Sequence, residues 1–130
     1  MKEGKKHILV VDDEESIRRN LKAFLEDEGF AVTVVRTGEE GLEMLSRSPI
    51  DGAIVDMRLP GMDGNRFIET AHETQPDVAF VIYTGSVDYK LPASLLQLDI
   101  EEGHVFRKPY DEMSVLSATL HDLLQFKTGG

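Results

Sequence analysis

Ile8-Leu9-Val10-Val11-Asp12-Asp13-Glu14-Glu15 is the stretch on which the fold turns. Four consecutive apolar residues without polar alternation describe a strand buried on both faces, the kind found inside a parallel sheet. The run ends abruptly in acids. From Glu14 to Glu28 the apolar residues Ile17, Leu21, Phe24 and Leu25 recur at helical spacing, and Gly29 supplies a C-terminal stop. A buried strand followed at once by an amphipathic helix is half of a βαβ unit, and the rest of the chain keeps that rhythm.

Ala31–Val35 reads as a second strand, with Thr37 and Glu40 in capping-box spacing ahead of the helical residues Leu42 and Leu45. Ala53–Val55 is a third strand and Pro60–Gly64 a loop. Phe67, Ile68 and Ala71 mark a helix that ends before Pro76. Val78–Tyr83 is a fourth strand, followed by a short helix bearing Leu95, Leu96 and Leu98, with Pro92 in its first turn. Val105 and Phe106 form a fifth strand. Met113, Leu116, Leu120, Leu123 and Leu124 share one face of a last helix, with Asp111 as its N-cap. Right-handed crossovers put helices on both faces of such a sheet. The predicted fold is α/β, a doubly wound, mostly parallel five-stranded sheet.

The chain has 130 residues, enough for one domain. Its 24 acidic and 14 basic residues give a net charge of −10, which repels a phosphate backbone and argues against direct nucleic-acid binding. No cysteine is present, which excludes disulfides, thiolate metal sites and cysteine nucleophiles and fits a reducing, cytoplasmic setting. The longest apolar stretches fall far short of the roughly 20 residues of a membrane span. Met1–Lys6 is polar, with no apolar signal segment behind it. A soluble protein without membrane contact is expected.

Ligands of open α/β sheets bind beyond the carboxyl ends of the strands. The polar residues at those ends are Asp12 and Asp13, Asp56, Thr84, and Lys108 with Pro109. Two carboxylates 4 Å apart repel by about 4 kcal/mol at an effective dielectric near 20, so a convergent set must bind a proton or a cation. An all-oxygen pocket suits magnesium. Lys108 supplies a point charge able to pair with Asp56 and then with a phosphoryl oxygen. A carboxylate so placed is a nucleophile that forms an aspartyl phosphate. The plainer reading, an acidic first turn complementing a helix dipole, accounts for Asp12–Glu15 alone but not for the whole set.

Four segments, Ile8–Glu15, Ile54–Gly64, Thr84-Gly85 and Lys108-Pro109, resemble in order and spacing the receiver domain of two-component response regulators. The resemblance runs over nearly the whole chain. It implies a flavodoxin-like (βα)5 single domain over residues 7–126, with tails at 1–6 and 127–130, and a cis Lys108–Pro109 bond. It implies Asp56 as phosphoacceptor and Mg2+ held by Asp13, Asp56 and the backbone carbonyl of Arg58, with support from Asp12. Thr84 and Lys108 contact the phosphoryl oxygens. The implied donor is the phosphohistidine of a histidine kinase or phosphotransfer protein, and the transfer is catalysed by the receiver itself. The surface of the fourth helix, fifth strand and fifth helix then reports to an effector protein or domain. Such a chain is a phosphoacceptor switch and not a turnover enzyme.

Two departures stand out. The family generally carries an aromatic residue three places before the lysine. Here that place is Val105, and Phe106, one residue on, faces the other side of the strand. Pro92 and Glu101-Glu102-Gly103 replace a small-residue helix ending, so the fourth helix should be short or displaced and the switch altered. Tyr110 is read as packing after Pro109. Arg58 and Ser86 sit where the family tunes hydrolysis of the acyl phosphate. Val105 leaves room for a phosphorylation-independent binding module. A magnesium phosphatase of the aspartyl-phosphate type fits worse, because it wants an acid where Arg58 stands and a cap domain besides. An EF-hand reading of 56–67 fails on Arg58, Pro60 and Phe67. No P-loop or dinucleotide fingerprint occurs. The four histidines show no ligand spacing and read as surface residues, and the methionines read as packing.

Overall fold

The computed structural model describes residues 4–109 and 112–128. Its elements are β1 (His7–Val11), α1 (Glu15–Asp27), β2 (Ala31–Val35), α2 (Gly38–Arg47), β3 (Gly52–Val55), α3 (Gly64–Thr74), β4 (Ala79–Thr84), α4 (Ala93–Leu96), a 3-10 turn (Glu102–His104), β5 (Val105–Arg107) and α5 (Met113–Thr128). The five strands form one parallel sheet in the order β2-β1-β3-β4-β5. The chain reverses direction across the sheet between β1 and β3, which makes their carboxyl ends the topological switch point.

Alternation along the strands builds two cores. Leu9 and Val11 face a cluster with Leu45 of α2, Phe67, Ile68 and Ala71 of α3 and Leu95 of α4. Ile8 and Val10 face a second cluster with Leu21 and Leu25 of α1 and Leu116, Leu120 and Leu124 of α5. That is why β1 carries no polar alternation: helices cover both of its faces. Val105 joins the first cluster and Phe106 the second, on opposite sides of β5. Met57 is buried, while Met44, Met62 and Met113 pack at the cluster margins.

Local signals set the helix starts. Thr37 Oγ1 accepts from the Glu40 N–H at 3.1 Å, and the Glu40 carboxylate accepts from the Arg36 N–H at 2.8 Å. Asp63 caps α3 by accepting from the Arg66 N–H at 2.9 Å. Glu14 precedes α1 without a side-chain capping bond.

Several boundaries differ from those expected. β4 runs one residue later, because the Val78 N–H is spent on the Gln75 carbonyl while Thr84 still pairs with Arg107. α4 is a single turn, as Pro92 and the acidic turn at 101–103 predict. α5 continues to Thr128, two residues past the expected end of the domain at 126, since neither Lys127 nor Thr128 breaks a helix. Asp111, the expected cap of α5, and Tyr110 lie outside the described residues. The histidines are less superficial than expected. His7, His72 and His104 are half-buried, and the His7 Nε2 lies 2.7 Å from Thr33 Oγ1. His121 stacks on Phe30 with ring centroids 4.8 Å apart. Among the described residues no helix is long and apolar enough to cross a membrane.

Gln75 pins the turn between α2 and β3. Its amide donates to the carbonyls of Leu45 and Ser48, both at 2.7 Å, and accepts from the Ile50 N–H at 3.0 Å. Gln75→Ala leaves all three backbone groups without this partner and is expected to cost about 2–3 kcal/mol, read as a lower urea midpoint.

Candidate functional site

The parallel register brings the carboxyl ends of β1, β3, β4 and β5 side by side. The Asp56 N–H donates to the Val11 carbonyl at 2.9 Å, and the Lys108 N–H donates to the Thr84 carbonyl at 2.8 Å. The backbone itself therefore sets the spacing of Asp12, Asp56, Thr84 and Lys108. The Lys108–Pro109 bond is cis.

Asp12 and Asp56 are 2% and 3% exposed, Thr84 is fully buried, and Asp13 and Glu14 are exposed at the rim. Each of Asp12, Asp13, Glu14 and Asp56 places a carboxylate oxygen within 4.8 Å of the others. The Lys108 ammonium sits among them, 2.9 Å from Asp12 Oδ2, 2.9 Å from Glu14 Oε2 and 3.4 Å from Asp56 Oδ2. The expected Lys108–Asp56 pair is thus the longest of three. The other oxygens are held by backbone: Asp12 Oδ1 accepts from the Glu14 N–H at 2.9 Å and Asp56 Oδ1 from the Arg58 N–H at 3.2 Å. Arg18 donates to the Asp12 carbonyl at 2.9 Å. Thr84 Oγ1 accepts from the Ser86 N–H at 3.2 Å. The Arg58 side chain is exposed and makes no described contact in the cluster.

Burial raises the pKa of Asp12 and of Asp56, and the Lys108 charge and the backbone donors only partly oppose it. For Lys108 burial acts downward, but the hydrogen bonds to Asp12 and Glu14 and the charges of Asp12 and Asp56 outweigh it, so the ammonium stays protonated well above the ordinary lysine range. Four carboxylates face one ammonium, so the cluster has anionic capacity to spare. An all-oxygen set of this density fits a hard divalent cation, and Asp12, Asp13 and Asp56 are the side chains that would hold it.

The structure brings the strand-end residues named from the sequence together, along with two that sequence reasoning misses. Glu14 reads as part of an acidic helix start, and nothing in its spacing ties it to a lysine 94 positions away. Tyr83 places its ring 5.6 Å from the Lys108 ammonium. With Ile17, Leu21 and Met113 it lines an open cleft that leads to Lys108 from between α1 and α5.

Tyr89 stands nearby on the β4–α4 loop. Burial, then the charges of Asp63 and Glu102, push its phenol up to about 12. The folded state therefore keeps this proton longer than the unfolded chain, whose tyrosines titrate near 10. The stabilisation is fully present below pH 10 and is lost as pH rises through 12. A spectrophotometric titration should show a late step near pH 12 that Tyr89→Phe removes.

A doubly wound sheet with buried acids, a hydroxyl and a lysine at its switch point defines a phosphoacceptor-type α/β domain. Family comparison agrees: residues 8–120 match the model of the response regulator receiver domain, and the chain belongs to that family, the receiver domains of two-component systems. The transcriptional regulatory protein YkoG of Bacillus subtilis is 31% identical over 113 residues, covering 87% of this chain and 49% of YkoG. The response regulator SaeR of Staphylococcus epidermidis is 29% identical, with 87% of this chain and 48% of SaeR covered. The chain spans about half the length of these curated relatives. Among solved structures, a CheY-like receiver domain from Methanospirillum hungatei superposes with TM-score 0.84 at 28% identity, covering 98% of this chain and 100% of that one. TrrA of Thermotoga maritima, solved in complex with Mg(2+)-BeF, gives TM-score 0.79 at 27% identity over 91% of this chain and 98% of that one.

Proposed function

We propose that Asp56 accepts a phosphoryl group from the phosphohistidine of a histidine kinase or phosphotransfer protein, with Thr84 and Lys108 contacting its oxygens. The observation that supports this reading is the convergence of two buried acids and one lysine, Asp12, Asp56 and Lys108, at the switch point of the sheet. The Asp56 carboxylate attacks phosphorus as the P–N bond of the donor breaks, and the leaving imidazole nitrogen takes up a proton. The Arg58 N–H orients the attacking carboxylate through Oδ1. Lys108 exchanges part of its carboxylate contacts for a phosphoryl oxygen. The buried Thr84 hydroxyl, on the strand between Asp56 and Lys108, turns to a second. Mg2+ held by Asp12, Asp13, Asp56 and the Arg58 carbonyl would supply countercharge to the transferring oxygens.

The acyl phosphate is a signal and not an intermediate of turnover. A phosphatase of this type needs an acid two residues beyond the nucleophile, and that residue is Arg58. On phosphorylation of Asp56 the surface of α4, β5 and α5 passes the signal to an effector, and the setting is the cytoplasm, where kinases of this kind present phosphohistidine.

The test is adduct formation with acetyl phosphate or beryllofluoride, read by protein mass and by fluorine NMR. One adduct is expected with magnesium and none after chelation by EDTA. An adduct that is indifferent to EDTA overturns the magnesium assignment, and absence of any adduct with magnesium overturns the phosphoacceptor reading. Phosphate release at many turnovers per second would identify a phosphatase instead.

A further inference from the structure

The loop between β4 and α4 is tied down through one residue. The Tyr89 hydroxyl donates to Asn65 Oδ1 at 2.7 Å, its carbonyl accepts from Arg107 Nη2 at 2.9 Å, and its N–H donates to the Ser86 carbonyl at 3.3 Å. Ser86 in turn donates its own N–H to Thr84 Oγ1. Asn65 follows Gly64, whose N–H bonds the carbonyl of Met57, the residue after Asp56. Arg107, also paired with Glu102 at 2.9 Å, precedes Lys108. Tyr89 is thus bonded to Arg107, next to Lys108, to Ser86, two residues after Thr84, and to Asn65 at the start of α3. Its ring packs against the cluster that holds Ile82, Leu95 and the aliphatic Val105.

We propose that Tyr89 is the positioning residue of this switch: its bond to Asn65 holds Thr84 in the unphosphorylated arrangement and is released when Thr84 turns to the group on Asp56. The inference rests on Asp56 being the phosphoacceptor. The Thr84 hydroxyl is linked to Tyr89 through Ser86, whose N–H it accepts at 3.2 Å and whose carbonyl accepts the Tyr89 N–H at 3.3 Å. A shift of Thr84 toward a phosphoryl oxygen pulls on the Ser86 N–H, and Ser86 pulls on Tyr89. That line ends in the part-buried Tyr89–Asn65 bond, whose two groups both find water when parted. The loop it restrains exposes Val87, which is 75% accessible, so its release alters an outward-facing surface. A bond present in one state only biases the equilibrium by no more than its own free energy. For a hydrogen bond of this kind that is a factor of about three to ten.

The test uses the full chain labelled with 3-fluorotyrosine. Its three tyrosines give three fluorine resonances, assigned with Tyr83→Phe and Tyr110→Phe. On formation of the magnesium beryllofluoride adduct the Tyr89 resonance is expected to move. Tyr89→Phe and Asn65→Ala should each reach half-saturation at about three to ten times less beryllofluoride. The double variant should go no further than either single one, because both remove the same bond. A purely structural tyrosine would lower the melting temperature and leave that concentration unchanged. An adduct with an unmoved Tyr89 resonance overturns the inference, as does unchanged beryllofluoride affinity in the folded variants. Should Tyr89→Phe fail to fold, Asn65→Ala and the labelled wild type still decide. Failure of the wild type to form any adduct overturns the Asp56 reading, and this inference with it.

Discussion

Asp56→Asn is expected to abolish the phosphoryl or beryllofluoride adduct completely while making the protein harder to unfold. The amide keeps the shape of the side chain, and its oxygen still accepts from the Arg58 N–H, but it is no nucleophile. Loss of the adduct is therefore total rather than graded, and an adduct surviving in this variant would move the acceptor elsewhere. The gain in stability follows from burial. Because the Asp56 pKa is raised in the folded protein, the native state binds more protons than the unfolded chain between the ordinary carboxylate pKa and the raised one. Stability then falls as pH rises through that window, and the buried charge opposes folding at neutral pH. Lys108 does not depend on Asp56 for a partner, since Asp12 and Glu14 both lie closer. The urea midpoint of Asp56→Asn should exceed that of the wild type at pH 7, with the difference shrinking as the solution is acidified. A lower midpoint at pH 7 would show that the Lys108–Asp56 attraction outweighs the cost of burial.

Gly64→Ala should be the most damaging methyl added at any of the described interior glycines. A Cβ at residue 64 would stand 2.4 Å from the Asp56 carbonyl oxygen and 2.8 Å from the Met57 Cα. Both are backbone atoms of the segment that carries Asp56, so no rotamer change relieves the clash. The expected cost is about 3 kcal/mol, a large share of the stability of a domain of this size. Because relief requires the β3–α3 connection to move, the folded fraction should also bind beryllofluoride more weakly. Gly103→Ala is the control, since nothing lies within 4 Å of its Cβ position. Equal urea midpoints for the two variants would refute the steric account.

The two positions differ in how they are read. Asp56 is visible in the sequence because it ends a buried apolar run, Asp12 and Thr84 are visible for the same reason, and Lys108 stands one residue beyond such a run. Gly64 appears there only as the end of a Pro-Gly-Met-Asp-Gly loop. Its backbone contact with Asp56 depends on how tightly α3 starts against β3. The one-residue shift of β4 has a similar origin, because Val78 is apolar and strand-like but its N–H closes a turn onto Gln75.

The sequence by itself determined the five strands, the burial of β1 on both faces and the chemical character of the strands' carboxyl ends. Apolar runs and helical periodicity are local consequences of which faces must leave water, and parallel pairing then forces the strand ends together. Tertiary structure alone decided that Glu14 clasps Lys108 from 94 residues away and that Tyr89 reaches Asn65. Those pairings depend on the path of loops and the rotamers of long polar side chains, on which no periodicity bears. Ion pairs and hydrogen bonds of this kind form wherever the packed backbone happens to bring charge and donor within about 3 Å.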